Sequence, residues 1–244
     1  DALQGETEVS DMGLTDAWSP GTFVIFCHIQ KTAGMTVQRY LRKRFGPGLP
    51  KRAFWRLTGD ARLSGPIVEA AQARTRADGY FAGHFCFGMH RHLPSPASYM
   101  TFLRDPVRRV ASLYKYSASV PGAYYHGFAR DTDLRSFVCD SGLMELENGM
   151  VRFLSGSPDD PFMNRVPVGK LTDQDLEKAK YNLDNHFFFA GIQERFEESF
   201  MLLGHKLGDT KPCYLSLNRA RPTPSTSAAD PEVLKRSRIA TVST

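Results

Sequence analysis

A chain of 244 residues with 41% hydrophobic content can bury one good core, and no apolar run approaches the roughly 18 to 20 residues that a membrane span requires. The formal charge of +5 hides an asymmetry: residues 1–20 hold Asp1, Glu6, Glu8, Asp11 and Asp16 but no lysine or arginine, leaving 31 basic against 21 acidic side chains, or +10, on the rest. So basic a body suits an anionic ligand, while four scattered cysteines without a C-x-x-C pair signal neither a zinc site nor a redox motif.

Residues 1–20 lack hydrophobic periodicity and read as a flexible acidic lead-in rather than a signal peptide. The run Phe23-Val24-Ile25-Phe26-Cys27 is too short for a helix and rich in β-formers, as a buried strand is. Gln30-Lys31-Thr32-Ala33-Gly34-Met35-Thr36 follows, then Val37, Tyr40 and Leu41 at helical spacing. A strand, a tight turn and a helix start direct backbone N–H groups and a positive dipole end at one point, which makes an anion site. The kinase order G-x-x-x-x-G-K-[ST] is absent, because Lys31 precedes Gly34.

The segment HIQKTAG resembles the 5′-phosphosulfate loop, HIPKTAG, of the carbohydrate sulfotransferases that include the heparan sulfate and uronyl 2-O-sulfotransferases and their bacterial relatives. Gln30 stands where that pattern has proline, and Met35 where it has a small hydroxyl residue. The resemblance implies a P-loop-like fold and a donor, 3′-phosphoadenosine 5′-phosphosulfate (PAPS), whose 5′ end is held by Lys31, Thr32, Ala33, Gly34, Met35 and Thr36. Its product is adenosine 3′,5′-bisphosphate (PAP).

The next stretch, Arg39, Arg42, Lys43, Arg44, Lys51, Arg52 and Arg56 with Phe45, Phe54 and Trp55 between them, reads either as a solvated face or as a patch for an acidic acceptor. Ile67 to Ala77 reads as a helix. Gly79 to Gly88 begins as a strand and ends in a glycine turn containing His84. A lone histidine after a strand is usually structural, but Gly83-His84-Phe85-Cys86-Phe87 resembles the family's G-H-x-x-F, whose histidine is the general base. Its ordinary pKa of about 6.5 leaves a neutral fraction for that task. His90 and His92 lie in a loop with no third ligand near in sequence, and no metal is expected.

Tyr99 to Arg104 reads as a strand, Asp105 as the cap and Pro106 as the first residue of a helix that buries Val107, Val110, Ala111 and Tyr114 against the sheet. The stretch TFLRDPVRRVASLY resembles the family's 3′-phosphate motif, which implies that Arg104 and Ser112 bind the 3′-phosphate of the donor. Residues 117–127 read as a loop lining the acceptor cleft. Leu134–Cys139, Leu143–Leu154 and Thr172–Asn185 read as helices, with Arg152 as a surface ion pair or an acceptor contact. His186 to Ile192 is a fourth strand, and Glu194–Leu207 a helix facing the core through Phe196, Phe200, Leu203 and Leu207. Beyond Cys213 the chain turns Ser/Thr/Pro-rich, and the family's basic loop over the nucleotide implies contacts from Arg219 or Arg221.

Strands alternating with helices argue for an α/β fold, a mostly parallel central sheet flanked by helices. The expected organisation is a lead-in over 1–20, a single α/β domain over 21–210 and a basic loop and tail over 211–244. By resemblance the chain transfers a sulfuryl group to an acceptor hydroxyl on a glycan that is neutral or acidic, without metal or nucleic acid; oligomeric state stays open. Unpaired thiols and the lack of an N-x-[ST] site favour a cytoplasmic bacterial protein, with a trimmed Golgi-lumenal domain as the alternative. The rival functions are a nucleotide-dependent phosphotransferase and a non-catalytic polyanion-binding module.

Overall fold

The computed structural model describes residues 17–47, 79–92, 96–157 and 164–214. The expected helix at 67–77, the basic residues beyond 47, most of the lead-in and the tail with Arg219 and Arg221 lie outside them. Among the described residues four strands, β1 (Phe23–Cys27), β2 (Tyr80–Gly83), β3 (Ala97–Leu103) and β4 (Phe187–Ile192), form one sheet in the order β2-β1-β3-β4. All three pairings are parallel. The α/β architecture is the one expected, and each strand falls within two residues of its sequence-based position.

β1 is buried at every position, which is why it carries no polar alternation. Phe23, Ile25 and Cys27 face one core with Phe81, Phe85 and Tyr99, while Val24 and Phe26 face the other with Met100 and Phe102. Helices α1 (Gly34–Phe45) and α7 (Phe196–Lys206) close this second core with Val37, Tyr40, Leu41, Phe200 and Leu203. Helices α5 (Gly149–Ser155) and α6 (Asp173–His186) close the first with Phe153, Leu154 and Ala179. The sheet therefore has helices on both faces, as parallel strands need.

Three local readings are corrected. Helix α2 (Pro106–Ser119) starts as expected, with the Asp105 carboxylate accepting from Arg108 N at 2.8 Å, but its apolar face meets other helices rather than the sheet. Val110 and Leu113 pack with Ala129 of α3 (His126–Ala129) and with Phe137 and Val138 of α4 (Leu134–Cys139). The single helix read over 143–154 is broken, because Asn148 adopts a left-handed φ of 48° between a 3-10 turn at Met144–Leu146 and α5. Beside the break the chain passes close to a buried cation: a Cβ at Gly149 would lie 2.6 Å from Nη2 of Arg109. Arg152 is fully buried, not a surface residue, and its guanidinium donates to the Glu147 carboxylate and to the carbonyls of Asn164 and Val166.

A close approach in β4 offers a test of the packing. A Cβ at Gly191 would stand 2.5 Å from the ring of Phe102, which is itself completely buried. Gly191→Ala is expected to lower unfolding stability by about 1–3 kcal/mol, the usual consequence of overpacking, read as a lower urea midpoint at unchanged slope.

Candidate active site

The sheet register sets the site. Cys27 pairs with Gly83 on one side and Thr101 on the other, so the residues leaving β1, β2 and β3 emerge side by side at one sheet edge. His28 and His84, each the first residue past its strand, become neighbours with ring centroids 4.4 Å apart. The His28 ring stacks on Phe26 from its other side at 5.3 Å. His84 Nδ1 lies 2.6 Å from the His28 carbonyl, and because a carbonyl only accepts, that nitrogen carries the proton and Nε2 is the ring's acceptor.

From His28 the chain enters the loop that the sequence marks as an anion site. Lys31 and Ala33 both hold left-handed backbone, φ 67° and 68°, and Ala33 is the N-cap of α1 without a side-chain cap or an acidic residue in the first turn. That helix end keeps its positive pole available to an anion. Thr32 is completely buried and turns inward, its hydroxyl donating to the Ile29 carbonyl at 2.7 Å. Gly34 is required by proximity, since a Cβ there would sit 1.8 Å from His28 Nε2. Met35 is exposed and Thr36 buried.

Arg104 arrives from the end of β3 and donates through Nη1 to the Lys31 carbonyl at 2.9 Å. Its Nε is buried without a hydrogen-bond partner, 3.9 Å from the Glu194 carboxylate. An orphaned guanidinium N–H beside an uncapped helix start is what an anionic donor would satisfy, so these residues fit a bound phosphate. Ser112 lies two turns along α2, one turn before Tyr116 on the same helix face. The Lys31 ammonium sits 4.1 Å from the Tyr116 ring centroid. Burial and the Arg104 charge lower the Lys31 pKa to about 8.

Burial is also what lowers His84 to about 4, against an opposing hydrogen bond to His28. His28 is lowered too, by burial first and then by the charges of His84 and Lys31. Both rings are thus neutral at pH 7.

Sequence reasoning missed Glu145, Arg109 and Tyr116, and the contact that Gln30 makes. Gln30 turns its amide inward, donating to the buried Glu145 carboxylate at 2.9 Å, and Arg109 donates to the Glu145 carbonyl. Burial raises the Glu145 pKa, opposed by Arg109 and by hydrogen bonds from Tyr125 and Gln30. Tyr116 was legible only as four residues past Ser112, a helical spacing whose partner lies on another element. His90, by contrast, is structural, its Nδ1 within 3.1 Å of the Tyr99 hydroxyl. Among the described residues no group of three His, Cys, Asp or Glu side chains is gathered to hold a metal ion, and no helix is long and apolar enough to cross a membrane.

A parallel α/β sheet whose carboxyl edge carries a lysine-bearing loop, a second cationic strand end and a neutral histidine defines an anion-handling enzyme of the P-loop-like class. The sulfotransferase family model matches residues 18–203, three quarters of the chain, and the protein belongs to that family. It is a sulfotransferase, using a sulfuryl donor and an acceptor. No curated protein matches it.

The two neutral rings make stability depend on pH. Between pH 6.5 and about 4 the unfolded chain binds protons that the folded histidines refuse, so folding stability falls as pH falls through this window. Urea midpoints measured from pH 7 to pH 4.5 should decline, and His84→Gln should flatten part of that decline.

Proposed function

We propose that the protein transfers a sulfuryl group from PAPS to a hydroxyl of a glycan acceptor by direct displacement, with His84 as general base. The observation that carries this reading is the hydrogen bond from Arg104 to the Lys31 carbonyl, because it brings the two phosphate-binding motifs of the family to one edge of the sheet. The backbone of residues 32–36 and the start of α1 hold the 5′-phosphate, and Arg104 with Ser112 holds the 3′-phosphate. His84 Nε2 takes the acceptor proton as the acceptor oxygen bonds to sulfur. Lys31 stabilises the charge that develops on the phosphate oxygen as its bond to sulfur breaks, leaving PAP. Arg219 and Arg221, outside the described residues, extend the donor site in this reading.

His84 in its hydrogen bond to His28 is poised as a base because the neutral ring presents Nε2 throughout the neutral range. Its weak basicity rises when an anionic donor docks beside it, since a nearby negative charge favours the imidazolium. Lys31 must carry its proton, so activity is lost as pH rises through its pKa.

The test is calorimetric titration of PAP without metal into the wild type, Lys31→Ala and Arg104→Ala. Micromolar wild-type binding weakened about tenfold or more by either change is expected for loss of a charged hydrogen bond. Absence of binding, or binding of ATP only with Mg²⁺, overturns the assignment. His84→Ala should keep PAP affinity while lowering turnover roughly 100- to 10,000-fold. The kcat/KM profile should fall on the alkaline side near pH 8, from Lys31, and on the acid side well below pH 6.5, from His84.

A further inference from the structure

The geometry points to Tyr116 as a positioning residue for Lys31: its ring face holds the ammonium over the phosphate loop, so that the segment running from the end of β3 into α2 fixes this lysine at both ends. The backbone end is the Arg104 hydrogen bond to the Lys31 carbonyl, 2.9 Å, and the side-chain end is the ring face, 4.1 Å from Nζ. The inference rests on the donor-site reading above.

Two features of the site make the ring contact consequential. Lys31 is a non-glycine residue with φ 67°, so the loop backbone sets the direction of its Cα–Cβ bond, and its ammonium lies over the Tyr116 ring. A lysine has four rotatable side-chain bonds, so an unheld ammonium would spread over many positions, whereas a face contact confines it. The ring also acts on charge. The ionisable groups around Lys31 are Arg104 from the end of β3 with Glu194 behind it, His28 at the loop start, and Glu145 bonded to the adjacent Gln30. Burial and Arg104 make the Lys31 proton easier to lose; the ring's negative face favours keeping it. Tyr116 therefore supports the protonated lysine that the displacement needs through its ring face, without neutralising the charge.

The arrangement also couples the two halves of the donor site. Ser112 and Tyr116 share a face of α2, so a shift of this helix moves the 3′-phosphate contact and the Lys31 ammonium together.

The experiment is carbon-13 NMR of the full chain labelled at lysine, with Lys31→Arg to assign the Lys31 ε-methylene signal, titrated from pH 6 to 11 in the wild type, Tyr116→Phe and Tyr116→Leu. In the wild type and Tyr116→Phe the signal should be shifted upfield by the ring current and titrate near pH 8. In Tyr116→Leu the upfield shift should vanish and the titration should move down by about half to one pH unit. PAP affinity at pH 8 should then fall roughly three- to tenfold in Tyr116→Leu and recover at pH 6.5, where Lys31 is protonated regardless. An ε-methylene without ring-current shift in the wild type overturns the inference even if Tyr116→Leu fails to fold. So does a Tyr116→Leu titration identical to the wild type. A ring-current shift in a protein that does not bind PAP overturns the donor-site reading instead, and with it the role given to the contact.

Discussion

The hydrogen bond from Arg104 to the Lys31 carbonyl is the interaction on which the site depends. Lys31 holds a left-handed backbone conformation that disfavours a residue with a Cβ, at about 1–3 kcal/mol, and a charged hydrogen bond of about 1.5–3 kcal/mol is of the size needed to offset it. The bond also joins the loop after β1 to the end of β3, the two neighbouring strands at the centre of the sheet.

The parallel sheet does the remaining alignment. Because neighbouring strands run the same way in a register that pairs Cys27 with both Gly83 and Thr101, everything that follows them appears at one edge. The threonine takes part directly, its hydroxyl donating to the Cys27 carbonyl at 2.8 Å. His28 and His84 meet as a result of this register and are driven neutral by the same burial that orders them. The acid sensitivity of the fold and the neutral state of these rings share one cause here, since a ring that resists protonation destabilises the fold in acid and keeps its acceptor nitrogen at neutral pH.

Gln30 shows how the chain accommodates a departure from its family's pattern. Where the resembling loop has proline, which fixes the backbone covalently, Gln30 fixes it by reaching inward to Glu145. The carboxylate lies among Arg109, Tyr125 and Gln30, so the loop is tied to a buried polar group on the segment before α5. The break at Asn148 and the small Gly149 admit the Arg109 guanidinium to this place.

The sequence by itself determined the elements that local chemistry controls. The apolar β1, the Asp105-Pro106 helix start and the helix expected over Thr172–Asn185 were readable because short-range patterns and caps act within a few residues. Lys31, His84 and Arg104 each follow a strand legible in the sequence, and a parallel sheet brings all such positions to one edge. What the tertiary structure alone decided depends on contacts between residues far apart in the chain. The ammonium of Lys31 over Tyr116, the inward turn of Gln30, the burial of Arg152 and the packing of α2 on helices rather than on the sheet belong to this group. Periodicity shows that a helix has an apolar face but not what that face meets, and a polar residue's partner is fixed only when packing brings the two together.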